Sequence, residues 1–350
     1  MHFIGIDLSR TTAHFYVCDE AGKRVTSGKI ELTVSELLGL AERFPGSKIA
    51  MEAGPSTFRL ARALNEAKAS VFVVNTRTNH LIKQSMQKTD ALDAKMLCEQ
   101  LHEGKLPKIS VYVPKAEVEE LRTLLTCRAA LVKERTSACI RAKGLAARNE
   151  VYLKAGALGS KQAWQTTELL ASTWPAAQGA MFRMQHANFL MLESQIDALE
   201  WKIVEMVEQH FSAEARLLET IPGVGQLSTA ALVAYIADIS RFQNARRLCS
   251  YVGLAPAVRD SGQHKSKLGI SKAGNPLLRS YLTQAALAVR RLPAEHPLAQ
   301  WYADVQKRRG WQKARVALAR KLVAIVFGVL KHKRPFEPLM LQRQPEKAQA

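Results

Sequence analysis

Four acidic residues stand where they could share a metal ion. Asp7 closes the apolar run IGID, Glu52 closes a second run, IAME, and Asp90 and Asp93 lie three apart in KTDALDAK, a spacing that puts both on one face of a helix. Carboxylate oxygens hold magnesium, often as a pair about 4 Å apart, where it stabilises the attacking and leaving oxygens of phosphoryl transfer. Each acid also has an ordinary reading: Asp90 as a helix cap, Asp93 as a solvated side chain, Glu52 as a strand-end polar residue. Taken jointly with the IGID strand, the four read as metal ligands and catalytic groups for Mg2+.

A second cluster lies near the C-terminus. Ser261, Ser266 and Ser271 fall among Arg259, His264, Lys265, Lys267 and Lys272, in what reads as a glycine-bearing loop. Cations there would stabilise phosphate charge and ease attack by a hydroxyl. Residue types alone do not choose among the three serines. Ser271 also suits the cap of a helix starting near Lys272, and Ser266 suits a simple phosphate contact. His264 reads as a phosphate donor before it reads as a proton shuttle.

The charge distribution names the partner. From residue 241 onward there are 22 Lys and Arg against 5 Asp and Glu, a net of +17, against +2 for residues 1–240. Such density attracts polyphosphates and releases their counterions, the footprint of a DNA- or RNA-binding protein. Lys307, Arg308 and Arg309 interleave with Trp301, Tyr302 and Trp311, which suits stacking on unpaired bases; alternatively the aromatics anchor the helix 316–330 to a core. The stretch LETIPGVGQLSTAALVAYI reads as a helix-hairpin-helix whose Gly223 and Gly225 let helix N-terminal amides meet a phosphate. A plain turn between helices also favours glycine.

These residues need a scaffold, and the hydropathy pattern outlines one. HFIGIDLS, AHFYVCDE and GKRVTSGKIEL read as three antiparallel strands, followed by a helix over 33–44, a buried strand SKIAMEAG, a helix over 56–67, a buried strand ASVFVVN and a helix over 90–103. The order β-β-β-α-β-α-β-α is that of the ribonuclease-H-like fold, although other α/β domains share it. After Pro114 long helices take over. Residues 118–148 are basic and amphipathic, and Phe189, Leu192, Ile196, Leu199, Ile203 and Met206 form a seam that could pack within the chain or in a dimer. Residues 154–175, with two glycines, read as a flexible crossing. The fold class is thus α/β plus all-α, in three parts: 1–108, a ribonuclease-H-like acidic domain; 109–214, a helical, coiled-coil region; and 215–350, a basic domain bearing the serines.

Composition excludes other classes. No apolar run reaches the ~20 residues of a membrane span, and MHFIGIDLSR lacks the pattern of an export signal, so a cytoplasmic, nucleoid-associated prokaryotic protein is expected. Five scattered cysteines without a CxxC pair read as reduced thiols rather than a disulfide framework or zinc site.

The set IGIDLS, IAMEAG, KTDALDAK, IPGVGQLSTAALVAYI, RRLCSYVGLAP and DSGQHKSKLGISKAGNPLLR, running nearly end to end, resembles the DEDD insertion-sequence transposases, serine recombinases guided by a bridge RNA. That resemblance implies a RuvC-like domain whose four acids are Asp7, Glu52, Asp90 and Asp93, and a C-terminal transposase domain whose nucleophile is Ser261. It implies DNA cleavage to a 5′-phosphoserine link, exchange and religation, in a homo-oligomer, a dimer or tetramer, that joins the two domains from different protomers. A guide RNA would choose the element ends and the target site. The stretch GQHKSKLG replaces the hydroxyl- and arginine-rich wording of many relatives, so Arg259, His264, Lys265 and Lys267 are candidate phosphate contacts rather than assigned ones.

Two rival functions fit the same residues. A RuvC-like junction nuclease would hydrolyse DNA with metal-activated water and form no serine link, and a noncatalytic nucleic-acid-binding protein would keep only the scaffold. All three share one consequence of the +17 region: affinity for DNA should fall by about a thousandfold between roughly 50 and 200 mM salt. A titration in which affinity stays constant over that range would remove the electrostatic reading.

Overall fold

The computed structural model of the chain describes residues 1–75, 89–106, 109–261 and 264–338. Two compact units result, Met1–Ala116 and Glu117–Ala350. In the first, the chain runs β1 (Phe3–Leu8), β2 (Thr12–Cys18), β3 (Arg24–Glu31), α1 (Val34–Arg43), β4 (Lys48–Glu52), α2 (Thr57–Glu66), β5 (Ser70–Val74), α3 (Asp90–His102) and β6 (Ser110–Val111). The sheet order is β3-β2-β1-β4-β5-β6. The first three strands pair antiparallel, and β4 and β5 continue parallel to β1. This arrangement is consistent with a ribonuclease-H-like domain.

Period-two alternation assigns the two faces of the sheet. Ile4, Ile6, Phe15, Val17, Ile49 and Met51 turn to one side, where Leu37 and Leu40 of α1 and Leu60 and Leu64 of α2 cover them. Ala50 and Val74 turn to the other side, under Leu97 and Leu101 of α3. Gly5 lies on that second side. A Cβ there would stand 2.0 Å from the Ala94 carbonyl oxygen and 2.4 Å from the Cys98 nitrogen, so only glycine lets α3 rest on β1. Cys98 reinforces the contact, donating its thiol to the Phe3 carbonyl at 3.1 Å and lying 3.2 Å from the Cys18 sulfur. Burial pushes the Cys98 thiol far above its ordinary range, which keeps it protonated and inert.

The second unit contains α4 (Ala116–Arg148), α5 (Lys161–Ala171), α6 (Ala176–Leu218), α7 (Gln226–Ile236), α8 (Ala245–Val252), β7 (Pro256–Ser261), β8 (His264–Ile270), α9 (Pro276–Ala288), α10 (Pro297–Arg309) and α11 (Trp311–His332). α4 and α6 are antiparallel: Arg128 pairs with Glu200, Arg135 with Glu193, Arg141 with Gln185 and Asn149 with Gln178, partner numbers falling as those of α4 rise. The apolar seam of α6 is used within the chain. Phe189 packs with Ala142 and Leu145 of α4, while Ile203 and Met206 pack with Leu121 and Leu125.

Residues 154–175 depart from the sequence reading. They are folded, with a 3-10 turn Ala157–Gly159 and α5 capped by Ser160, whose hydroxyl accepts from the Ala163 amide. Trp164 explains the difference. It is fully buried, donates its indole N–H to the Leu158 carbonyl at 3.0 Å and stacks on His186 at 5.2 Å. Gly156, at φ 76°, makes a tight turn rather than a mobile one.

Among the described residues no helix is long and apolar enough to cross a membrane. Cys18, Cys98 and Cys249 are buried, Cys139 is half-buried and Cys127 exposed, all as free thiols. Gly5→Ala should lower unfolding free energy by about 3 kcal/mol, because overfilling a packed contact against backbone leaves nothing flexible to yield. Chemical denaturation of the full chain measures this; a loss under about 0.5 kcal/mol, the size of an ordinary surface change, would mean that α3 does not bear on β1.

Candidate functional site

β1 and β4 are neighbours in parallel register, Ile6 beside Met51. Asp7 and Glu52 therefore lie one step further on, near the same carboxyl-end edge of the sheet. Both alternate with Gly5 and Ala50 and so lie on the face covered by α3. That edge is where open sheets with parallel strands place their ligands.

Asp90 and Asp93 occupy the first turn of α3. Neither behaves as its ordinary reading would have it. Thr89, not Asp90, caps the helix, its hydroxyl accepting from the Leu92 amide at 3.3 Å. Asp93 is buried rather than solvated, at 7% exposure. Asp90 remains half exposed, and its Oδ2 accepts a hydrogen bond from the Ser9 hydroxyl at 2.8 Å.

One residue of the same face escaped the sequence reading. His14 is the cross-strand partner of Asp7 on β2, and its Nδ1 lies 3.7 Å from Asp90 Oδ2. That nitrogen is shut off from solvent and has no hydrogen-bond partner. The only available signal was alternation in TAHFYVC, and it becomes informative only once the β1–β2 register is known.

Chemically this donor set suits a hard divalent cation, with four carboxylates and an orphaned nitrogen on one sheet face. Among the described residues no three His, Cys, Asp or Glu side chains already stand close enough together to hold one. Closing round an ion would take side-chain rotation, with Asp90 exchanging the Ser9 hydroxyl for the metal.

The region of the three serines is not a loop. β7 and β8 form an antiparallel ladder with Ser261 opposite His264, Arg259 opposite Ser266 and Asp260 opposite Lys265. Gly262 and the side chains of residues 258–268 lie outside what is described. The Gly262-Gln263 dipeptide was a hairpin signal in the sequence, but the flanking strands carry too few apolar residues to show alternation.

The root of the hairpin is held by backbone. Ser271 caps no helix; its amide donates to the Ala255 carbonyl at 2.8 Å, and Lys272, at φ 53°, donates to the Gly253 carbonyl at 3.1 Å. The helix starts later, at Pro276, capped by Asn275, whose side chain accepts from the Leu277 and Leu278 amides. Gly274 crosses so near α8 that a Cβ would stand 2.3 Å from the Tyr251 carbonyl oxygen. Arg279 completes the clamp, donating to the Val252 carbonyl at 3.0 Å.

The remaining sequence candidates divide. Gly223 turns the chain between α6 and α7 at φ 85°, and its missing Cβ makes room for the Ala285 carbonyl of α9, so its first use is internal packing. Gly225 caps α7 without a side-chain hydrogen bond and has open space beside it. Lys307, Arg308 and Arg309 form an exposed last turn of α10. Tyr302 is buried in the core, whereas Trp311 is half exposed beneath the Arg315 guanidinium, and Trp301 carries the Lys321 ammonium 4.8 Å above its ring.

Comparison with known proteins agrees with these two regions. A family model described as "Transposase", for a DEDD domain of IS110 type, matches residues 4–147, and one described as "Transposase IS116/IS110/IS902 family" matches residues 215–301. The chain is similar to a "Probable family 20 transposase" of Pseudomonas aeruginosa, 27% identical over 96% of this chain and 98% of that one. It is also similar to the "Transposase for insertion sequence element IS1111A" of Coxiella burnetii, 31% identical over 61% of this chain and 59% of the relative. A "Pilin gene-inverting protein" of Moraxella lacunata is 34% identical over 41% of this chain and 45% of its own. The sheet with its acidic edge, followed by a basic helical unit, is thus the make-up of a transposase with a DEDD domain. The chain is a transposase of the IS110/IS116 family.

Proposed function

We propose that this transposase cuts and rejoins DNA through a covalent link to Ser261, with Asp7, Glu52, Asp90 and Asp93 holding Mg2+ at the same reaction. The observation that carries the reading is the backbone register that sets Ser261 opposite His264 in a basic hairpin of the second unit; the acidic sheet edge of the first unit supports the metal part. A bound divalent cation would supply charge stabilisation for the attacking and leaving oxygens of the scissile phosphate.

The remaining steps belong to the chain's own residues. The Ser261 oxygen attacks phosphorus, the bond from phosphorus to the 3′-oxygen breaks, and a 5′-phosphoserine and a free 3′-hydroxyl result. The serine proton passes to a nearby base and the leaving oxygen takes one up. Religation reverses the exchange: a 3′-hydroxyl attacks the phosphoserine and Ser261 recovers its proton. Bond energy is conserved throughout, so no external energy source is required. Arg259, His264, Lys265, Lys267 and Lys272 would neutralise the phosphate as charge builds, and Gly223, Gly225, Lys307, Arg308 and Arg309 would contact the backbone of the duplex or of a guide RNA. RNA guidance and a multimer that unites the two units of different protomers rest on the sequence resemblance. A relative described as inverting a pilin gene supports recombination, rather than hydrolysis alone, as the chemistry.

The test is a suicide DNA substrate nicked near the crossover. The unaltered chain should accumulate a denaturation-resistant protein–DNA adduct, with the phosphate mapped to Ser261 and not to Ser266 or Ser271. Ser261→Ala should still bind DNA but lose cleavage by about a thousandfold or more. Full cleavage by Ser261→Ala would remove the serine mechanism and leave a water-using nuclease.

A further inference from the structure

We propose that His14 is a fifth donor of the acidic site, supplying an imidazole nitrogen to the divalent ion that the four carboxylates hold; this rests on the metal reading of that site. Three features of the structure converge on it. His14 is the register partner of Asp7 and shares with it the sheet face under α3. Its Nδ1 lies 3.7 Å from Asp90 Oδ2 without forming a hydrogen bond. That nitrogen is also withdrawn from water, while a quarter of the side chain remains exposed.

A buried ring nitrogen with no partner sacrifices a hydrogen bond, a cost that native structures rarely leave uncompensated. Here the surrounding groups explain what would compensate it. Asp90 sits on one side and Asp7 stands on the neighbouring strand, where directly opposed Cβ atoms are about 5 Å apart. A cation gathered by these carboxylates would come within reach of Nδ1, and a neutral imidazole is a good ligand for divalent first-row metals. Asp90 is the piece that must move, because its carboxylate is now engaged by the Ser9 hydroxyl.

A nitrogen donor among oxygens changes which metal the site prefers. Magnesium takes oxygen ligands almost exclusively, whereas manganese accepts both and binds mixed sites more tightly. The site should therefore favour Mn2+ over Mg2+ more strongly than a purely carboxylate site, and His14 should be the reason.

The experiment uses the full chain and Mn2+ as the probe. Bound Mn2+ should show imidazole nitrogen modulation in pulsed electron paramagnetic resonance, and the modulation should vanish in His14→Ala, with Mn2+ bound about tenfold more weakly. His14→Asp, which returns an oxygen donor, should recover affinity without the nitrogen signal, and circular dichroism should show both variants folded. Asp7→Asn locates the ion. If Mn2+ binding needs Asp7 but carries no nitrogen modulation, or keeps it in His14→Ala, His14 is not a ligand and the carboxylate site stands alone. If Mn2+ binding is indifferent to Asp7→Asn, the acidic edge holds no ion, and the metal reading fails together with the role of His14.

Discussion

The contact between Gly5 and the backbone of α3 governs the first unit. Because no Cβ intervenes, the Ala94 carbonyl and the Cys98 amide come directly against β1. The first turn of α3 then falls at the strand ends, where Asp7 and Glu52 emerge. Asp90 and Asp93 of the helix and Asp7 and Glu52 of the adjacent strands are brought to the same end of the sheet because strand and helix are pressed together one turn away. A larger residue at position 5 would lift the helix and separate the pairs without touching any of them.

The second unit shows the same device in another setting. Gly223 admits the Ala285 carbonyl and Gly274 admits the Tyr251 carbonyl, so α7, α8 and α9 are bound backbone to backbone around one apolar core. The hairpin β7–β8 grows from that clamp, rooted by the bonds of Ser271 and Lys272 to Ala255 and Gly253. Arg128 ties the long helices to this core, pairing with Glu200 of α6 and donating to the Tyr281 hydroxyl of α9, so the helical arm and the hairpin platform share one framework. Burial raises the Tyr281 hydroxyl above its usual range, which keeps it neutral as acceptor for that donor.

Much of this architecture is legible in the sequence. Strands of the first unit are legible because short apolar runs such as IGID, HFYV and IAME are bounded by polar and turn residues. Asp7 and Glu52 are legible in the sequence because they end apolar runs, and Asp90 and Asp93 because of their helical spacing. His14 is not, since a polar residue in a half-buried strand looks ordinary until its register partner is known. The hairpin is hidden for a related reason: RDS and HKSK are polar on both faces, so no period appears. Residues 154–175 mislead through their glycines, while Trp164, the residue that folds the segment, gives no local signal of what it will pack against. The basic count of residues 241–350 points to the partner class without regard to fold, because long-range electrostatics depends on summed charge more than on its exact placement.

The proposed chemistry depends on Asp7, Glu52, Asp90 and Asp93 holding one ion. Anomalous diffraction from crystals of the full chain soaked in Mn2+ tests it most directly. The account predicts an anomalous peak at the carboxyl ends of β1 and β4, against the first turn of α3, with oxygens of Asp7 and of at least one α3 carboxylate at about 2.2 Å. A peak elsewhere, or none at that edge in crystals that take up Mn2+ at other positions, would contradict it.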